Sequence, residues 1–80
     1  MPADLVLYLA RRLVEEPDSV RVDELEGPEG ELVLRLHVAE GDRGLVIGRR
    51  GRTVQALRTI ARAAGARRDR RVLLEIADAD

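Results

Sequence analysis

Two stretches of alternating apolar residues decide what this chain can become. Leu32, Leu34, Leu36 and Val38 alternate with Val33, Arg35 and His37, and Val72, Leu74 and Ile76 alternate with Leu73 and Glu75. Period-two alternation marks a strand with one buried face. Between the two stretches the pattern is helical, and the connection is long enough to let the strands pair in parallel. The helices of that connection then have to cover the apolar face.

The rest of the chain fits around this frame. Leu5, Val6, Leu9, Ala10 and Leu13 recur at three- and four-residue spacing, predicting an amphipathic helix from about Ala3 to Glu15. Pro17 ends it, because proline disfavours helical geometry in the residue before it. Val20 and Val22 alternate with Arg21 and Asp23 as a strand, and Gly27-Pro28-Glu29-Gly30 is a turn into the 32–38 strand. Asp42 is the expected N-cap of a very short helix, Arg43 to Ile47, ended by Gly48. Val54, Leu57, Ile60, Ala61 and Ala64 form the stripe of a further helix, with Gly65 as its expected C-cap. The predicted order is α-β-β-α-α-β: an α+β fold with a three-stranded mixed sheet and three helices on one face. One domain over residues 1–80 is expected, with an ordered core of about 3–77.

Composition enters by what it excludes. The chain has no Cys and one His, so a thiolate or histidine metal site and a Cys nucleophile have no material, and Ser19, the sole Ser, sits at a strand start with no Ser–His pairing in view. No metal, cofactor or enzymatic activity is expected. There is no Lys, hence no Walker loop, and a helix rather than a strand precedes Gly44, Gly48 and Gly51, which rules out the dinucleotide fingerprint. No apolar run approaches membrane-spanning length, and Met1-Pro2-Ala3-Asp4 lacks a basic signal-peptide region, so the cytoplasm is the expected location. Tyr8 is the sole aromatic, which argues against a surface that stacks bases on rings. The net charge is −1, yet it is divided: residues 1–42 hold four arginines against eleven acids, and residues 43–80 ten arginines against four acids. Such polarity suits an anionic ligand on the C-terminal half. The acids Asp23, Glu24, Glu26, Glu29 and Glu31 crowd the hairpin, where a solvated end is expected.

The segment Leu45-Val46-Ile47-Gly48-Arg49-Arg50-Gly51-Arg52-Thr53-Val54-Gln55 is the most informative. Gly48 and Gly51 allow a tight turn between two helices and close approach of another backbone. The second helix starts there, with its unbonded N–H groups and positive dipole end. With Arg49 and Arg50 between the glycines and Arg52 just after, the turn suits a phosphodiester backbone. Ile47, Val54, Gln55 and Leu74 are candidates for a narrow groove that takes an unpaired base. Arg70 and Arg71, from the basic stretch 67–71, are candidates for its rim. Arg58 reads as an exposed helix arginine, and His37 as an ordinary strand residue.

The run Val46-Ile47-Gly48-Arg49-Arg50-Gly51-Arg52-Thr53-Val54 resembles the Gly-X-X-Gly signature of KH domains. The element order is that of the type II KH fold. Helix one ending in Glu-Glu-Pro-Asp, the hairpin, Gly51 to Thr59 and the terminal Val72-Leu73-Leu74-Glu75-Ile76 are similar to the small stand-alone bacterial KhpA family. The family's loop usually carries a Lys where this chain has Arg49 or Arg50; the charge is kept. The resemblance implies single-stranded RNA binding of low sequence specificity, as an RNA chaperone or post-transcriptional regulator linked to growth and cell shape. It also implies self-association or pairing with a larger KH protein of the KhpB/Jag/EloR type. A module that chiefly binds protein, and one that binds single-stranded DNA, are the alternatives.

Overall fold

A computed structural model describes residues 1–78. The chain forms α1 (Pro2–Leu13), β1 (Arg21–Glu26), β2 (Leu32–His37), α2 (Arg43–Ile47), α3 (Arg52–Ala66) and β3 (Val72–Ile76), with short 3-10 turns before β1, α2 and α3. The order β1-β2-β3 makes β2 central. β1 pairs with β2 antiparallel, from Arg21 opposite His37 to Glu26 opposite Leu32. β2 pairs with β3 in parallel, from Leu32 opposite Val72 to Leu36 opposite Ile76.

Period-two alternation sends Leu34, Leu36, Val72 and Leu74 to one face, where Val6, Ala10, Val46, Leu57 and Ala61 of the three helices meet them. Among the described residues this is the one core cluster. The mixed face, with Val33, Arg35 and His37, is covered by nothing among the described residues and is half-buried. Leu34 is fully buried in this core, and truncating it to Ala should cost about 2–5 kcal/mol.

Several expectations need correction. α1 ends at Leu13, two residues early, because the chain is drawn off the helix: the Glu16 N–H donates to Asp42 Oδ2 at 3.0 Å. Asp42 therefore stands at the start of α2 but does not cap it; it is only 2% exposed and ties α1's exit to the α2 entry. Leu5 and Leu13 are exposed, so α1 buries Ala3, Val6 and Ala10 rather than the whole predicted stripe. Gly65 lies inside α3, not beyond it. A Cβ there would strike Val72 and the Arg70 carbonyl, so glycine is required by the close passage of β3. The reversal falls at Asp69, with φ +60°. Ile60 is on the surface, and α3 buries Val54, Leu57, Ala61 and Gly65.

The hairpin acids are not uniformly solvated. Glu31 is 8% exposed and its Oε1 accepts the Glu29 N–H at 2.9 Å, filling the space a side chain at Gly27 would need. Those backbone donors hold its carboxyl below the usual range. Asp23 is also held low, first by the hydrogen bond from Arg21 and then by that from His37.

Candidate nucleic-acid interface

The turn between α2 and α3 is built from backbone conformations that ordinary residues avoid. Gly48 has φ 78° and ψ 170°, a region open to glycine alone. A Cβ at this position would also collide with Thr53. Gly51 has φ 74° and ψ 14°, in the left-handed region, with open space where a side chain would stand. Here glycine is needed for its backbone and not for room. Arg50 has no such licence, yet sits at φ 58°, ψ 24°. Its strain is of the kind that collects at binding sites. The Gly48 N–H donates to the Gly44 carbonyl (2.9 Å) and the Gly51 N–H to the Gly48 carbonyl (3.1 Å), which fixes the bend.

Beyond the bend α3 begins with no acid in its first turn and no side chain capping its amides. Its positive end is thus open to an external anion. Arg49, Arg50 and Arg52 are exposed around it. Among the described residues, only Arg43 and Arg71 of the ten C-terminal arginines come within 4.0 Å of a carboxylate: Arg43 with Asp78 (3.8 Å) and Arg71 with Glu29 (3.6 Å). Among the described residues the other eight have no carboxylate partner.

The groove residues are less uniform. Val54 (6% exposed) and Leu74 (5%) are mostly floor, Ile47 is half-buried and Gln55 is exposed. A cavity of about 450 Å³ opens between α3 and β3, lined by Arg58 and Arg62 on one side and by Val72 to Glu75 on the other, and reaching Val33. It brings in Leu74 and leaves out Ile47, Val54 and Gln55, which lie nearer the turn. Arg58 Nε donates to the Leu74 carbonyl across it, at 3.2 Å. Arg58 and Arg62 are the groove cations that reasoning from sequence missed. Their four-residue spacing on α3, with Gln55 three residues before Arg58, was the available signal.

Arg70 and Arg71 are not beside the glycine turn. They follow α3, whose 15 residues span about 22 Å, and they line a separate cavity with Glu29, Gly30, Glu31 and Asp69. The Leu32 N–H donates to the Arg71 carbonyl (2.9 Å), which pins this loop to the acidic hairpin. They do not line the cavity between α3 and β3, whose lining on the strand side starts at Val72.

Residues 3–76 match the family model described as "KhpA/KhpB, KH domain". This chain belongs to that family. It is 47% identical over 73 residues to the RNA-binding protein KhpA of Aquifex aeolicus, covering 91% of each chain. Against the RNA-binding protein KhpA of Bacillus subtilis it is 41% identical over 75 residues, covering 94% of this chain and 91% of the relative. Among solved structures it is similar in fold to Era of Aquifex aeolicus bound to GDP and AlF4−, with a TM-score of 0.60 at 24% identity. That match covers 94% of this chain and only 29% of Era. A second Era structure, in complex with MgGDPNP and nucleotides 1506–1542 of 16S ribosomal RNA, gives a TM-score of 0.59 at the same identity, covering 94% of this chain and 28% of the Era chain. These establish the α-β-β-α-α-β KH architecture.

Proposed function

We propose that this KH domain binds single-stranded RNA along a track that starts at the Gly48–Gly51 turn and continues into the α3/β3 groove. The observation that carries the reading is the bend itself. Two glycines bring the backbone to the surface at an uncapped helix start, and three exposed arginines surround it without partners among the described residues. The names of the KhpA relatives as RNA-binding proteins support the same reading.

In this reading Gly48 and Gly51 admit the sugar–phosphate chain, and Arg49, Arg50 and Arg52 contact phosphates, bidentately where geometry allows. Ile47, Val54, Gln55 and Leu74 receive a base against aliphatic surface. Arg70 and Arg71 extend the basic track beyond the far end. Most of the affinity is then backbone-directed, so sequence specificity is low and salt dependence is strong. With about three phosphates neutralised, the slope of log affinity against log salt is near −2. The function extends, as the family resemblance implies, to an RNA chaperone or post-transcriptional regulator tied to growth and cell shape, acting in the cytoplasm without cofactor or catalysis.

Fluorescence anisotropy with a short unstructured RNA tests this. The wild type should bind, and the double variant Arg49→Asp/Arg50→Asp should lose at least about a hundredfold in affinity with an unchanged far-UV spectrum. Unaltered affinity in the double variant removes the turn from the site. A single-stranded DNA of the same sequence run alongside separates RNA from DNA preference.

A second reading rests on a different surface. Tyr8 (58% exposed), Leu13 and Ile60 are apolar residues left on the surface of α1 and α3, around a shallow cavity with Leu9, Ala56 and Leu57. This patch faces away from the Arg58–Arg62 side of α3. It favours self-association, or pairing with a KhpB-like partner, at the same time as RNA binding. Sedimentation velocity should show a dimer that persists when RNA is added; a monomer at all concentrations removes the self-association half of this reading.

A further inference from the structure

The chain carries three aliphatic hydroxyls, on Ser19, Thr53 and Thr59, and their surroundings differ. Ser19 follows the acidic run Glu15-Glu16-Pro17-Asp18. Thr59 has Ala56 three residues before it, and its Oγ1 is committed, donating to the Gln55 carbonyl at 3.0 Å and accepting from Arg62 Nη2 at 3.5 Å. Thr53 ends the run Arg49-Arg50-Gly51-Arg52-Thr53, with arginine one, three and four residues before it. It caps nothing: α3 starts without a side-chain cap, and the Thr53 hydroxyl has no hydrogen-bond partner among the described residues.

Thr53 is the second residue of α3 and is half-buried, lining the shallow surface cavity between α1 and α3. Its Oγ1 is the atom that a Cβ on Gly48 would meet first, so the hydroxyl stands at the bend itself. The first turn of α3 lacks an acid, and Arg49, Arg50 and Arg52 have no carboxylate partner among the described residues. A phosphate on Thr53, with a charge of about −1.5 to −2, would meet the unbonded amides of a helix start and three free guanidinium groups. The turn that gathers cations for a polyanion is thus equally fitted to hold a phosphate of its own. No side chain caps this first turn, so the local opening that presents residues 49–53 in extended form costs little.

We propose that Thr53 is a phosphorylation site read by an arginine-directed protein kinase, and that its phosphate closes the turn to RNA. In the step, Thr53 Oγ1 attacks the γ-phosphorus of a nucleoside triphosphate. The Oγ1–P bond forms as the bond from that phosphorus to the bridging oxygen of the β-phosphate breaks. The hydroxyl proton goes to the kinase's base, and the nucleoside diphosphate leaves. The attached phosphate pairs with the arginines that would otherwise hold RNA phosphates and repels an RNA backbone from the helix start. The acceptor site goes beyond the RNA-binding reading; the closing of the turn rests on it.

The test incubates the folded full chain with ATP and a Ser/Thr kinase that requires arginine three residues before its target, and maps the phosphate by mass spectrometry. Thr53 should take one phosphate while Ser19 and Thr59 stay unmodified. A saturating short unstructured RNA should slow the reaction, since the coupling between the two is reciprocal. The chain phosphorylated at Thr53 should lose at least about tenfold in affinity for that RNA and show a flatter salt dependence, with its far-UV spectrum unchanged. Thr53→Val should resist phosphorylation and bind the RNA within about twofold of wild type, because it removes no cation. Should that variant not fold, Thr53→Ala takes its place. A folded chain that takes no phosphate on Thr53 overturns the assignment, as does incorporation only after heat denaturation. Phosphorylation that leaves RNA affinity unchanged overturns the closing of the turn. An unmodified chain that binds no RNA while Thr53 takes phosphate overturns the RNA reading, and the closing with it, but supports the acceptor site.

Discussion

Arginine is used in opposite ways on the two sides of this molecule. On the uncovered sheet face Arg21 lies 3.2 Å from Asp23, Arg35 lies 2.9 Å from Glu75, and His37 Nε2 lies 2.8 Å from Asp23. Around the α2–α3 turn, Arg49, Arg50 and Arg52 project without a carboxylate within 4.0 Å among the described residues. An exposed ion pair contributes at most about 1 kcal/mol to stability, but it cancels the field that a polyanion would feel. An unpaired arginine keeps that field. A net charge of −1 is therefore no guide to ligand choice here; what matters is which cations are already satisfied.

The contrast breaks most severely at the turn's backbone. Gly48→Ala places a side chain at φ 78° and into Thr53, and should cost about 2–4 kcal/mol, lowering the thermal midpoint by 10 °C or more in a chain this small. Circular dichroism melting measures it. No residue of the sheet face except Gly30, in the hairpin turn, shares such a backbone demand.

Arg50→Gly sharpens the comparison from the other direction. Relief of the left-handed conformation should raise stability by about 0.5–1 kcal/mol while RNA affinity falls. Chemical denaturation and anisotropy on the same variant read both effects. A gain in stability with unchanged affinity would make the strain incidental to binding.

Acid should act on the hairpin side and spare the turn. Asp23 and Glu31 both have carboxyls held below their ordinary values, so they bind protons less readily folded than unfolded. Their contribution is complete above the unfolded carboxylate range and is lost as pH falls below about 4. Glu31→Gln should weaken the fold at neutral pH and flatten its acid limb. The smallest effect belongs to the sheet-face pairs: Arg21→Gln/Arg35→Gln should leave RNA affinity and its salt slope within twofold of wild type.

The sequence showed most of the fold because the fold is written in local periodicity. The alternation at 32–38 and 72–76 and the bounds of α2, Arg43–Ile47, needed no tertiary knowledge. What stayed hidden depends on contacts distant in sequence. Asp42 reads as a helix cap until the Glu16 amide arrives from 26 residues away. Gly65 reads as a helix stop until Val72 packs on it. Arg58 reads as a solvated arginine because nothing local says that the β3 edge lies across from it. Arg71 reads as part of a binding rim until Glu29 and the hairpin are placed beside it. The glycine turn was legible because its requirement is conformational and held within four consecutive residues.

Backbone amide chemical shifts, followed by NMR during titration with a short single-stranded RNA, test the central claim most directly. The account predicts the largest changes at Gly48 to Val54 and along the Leu74 edge, with Arg21 to Glu26 unmoved. Changes centred on the Arg21, Arg35 and His37 face, with the Gly48–Gly51 amides still, would contradict it.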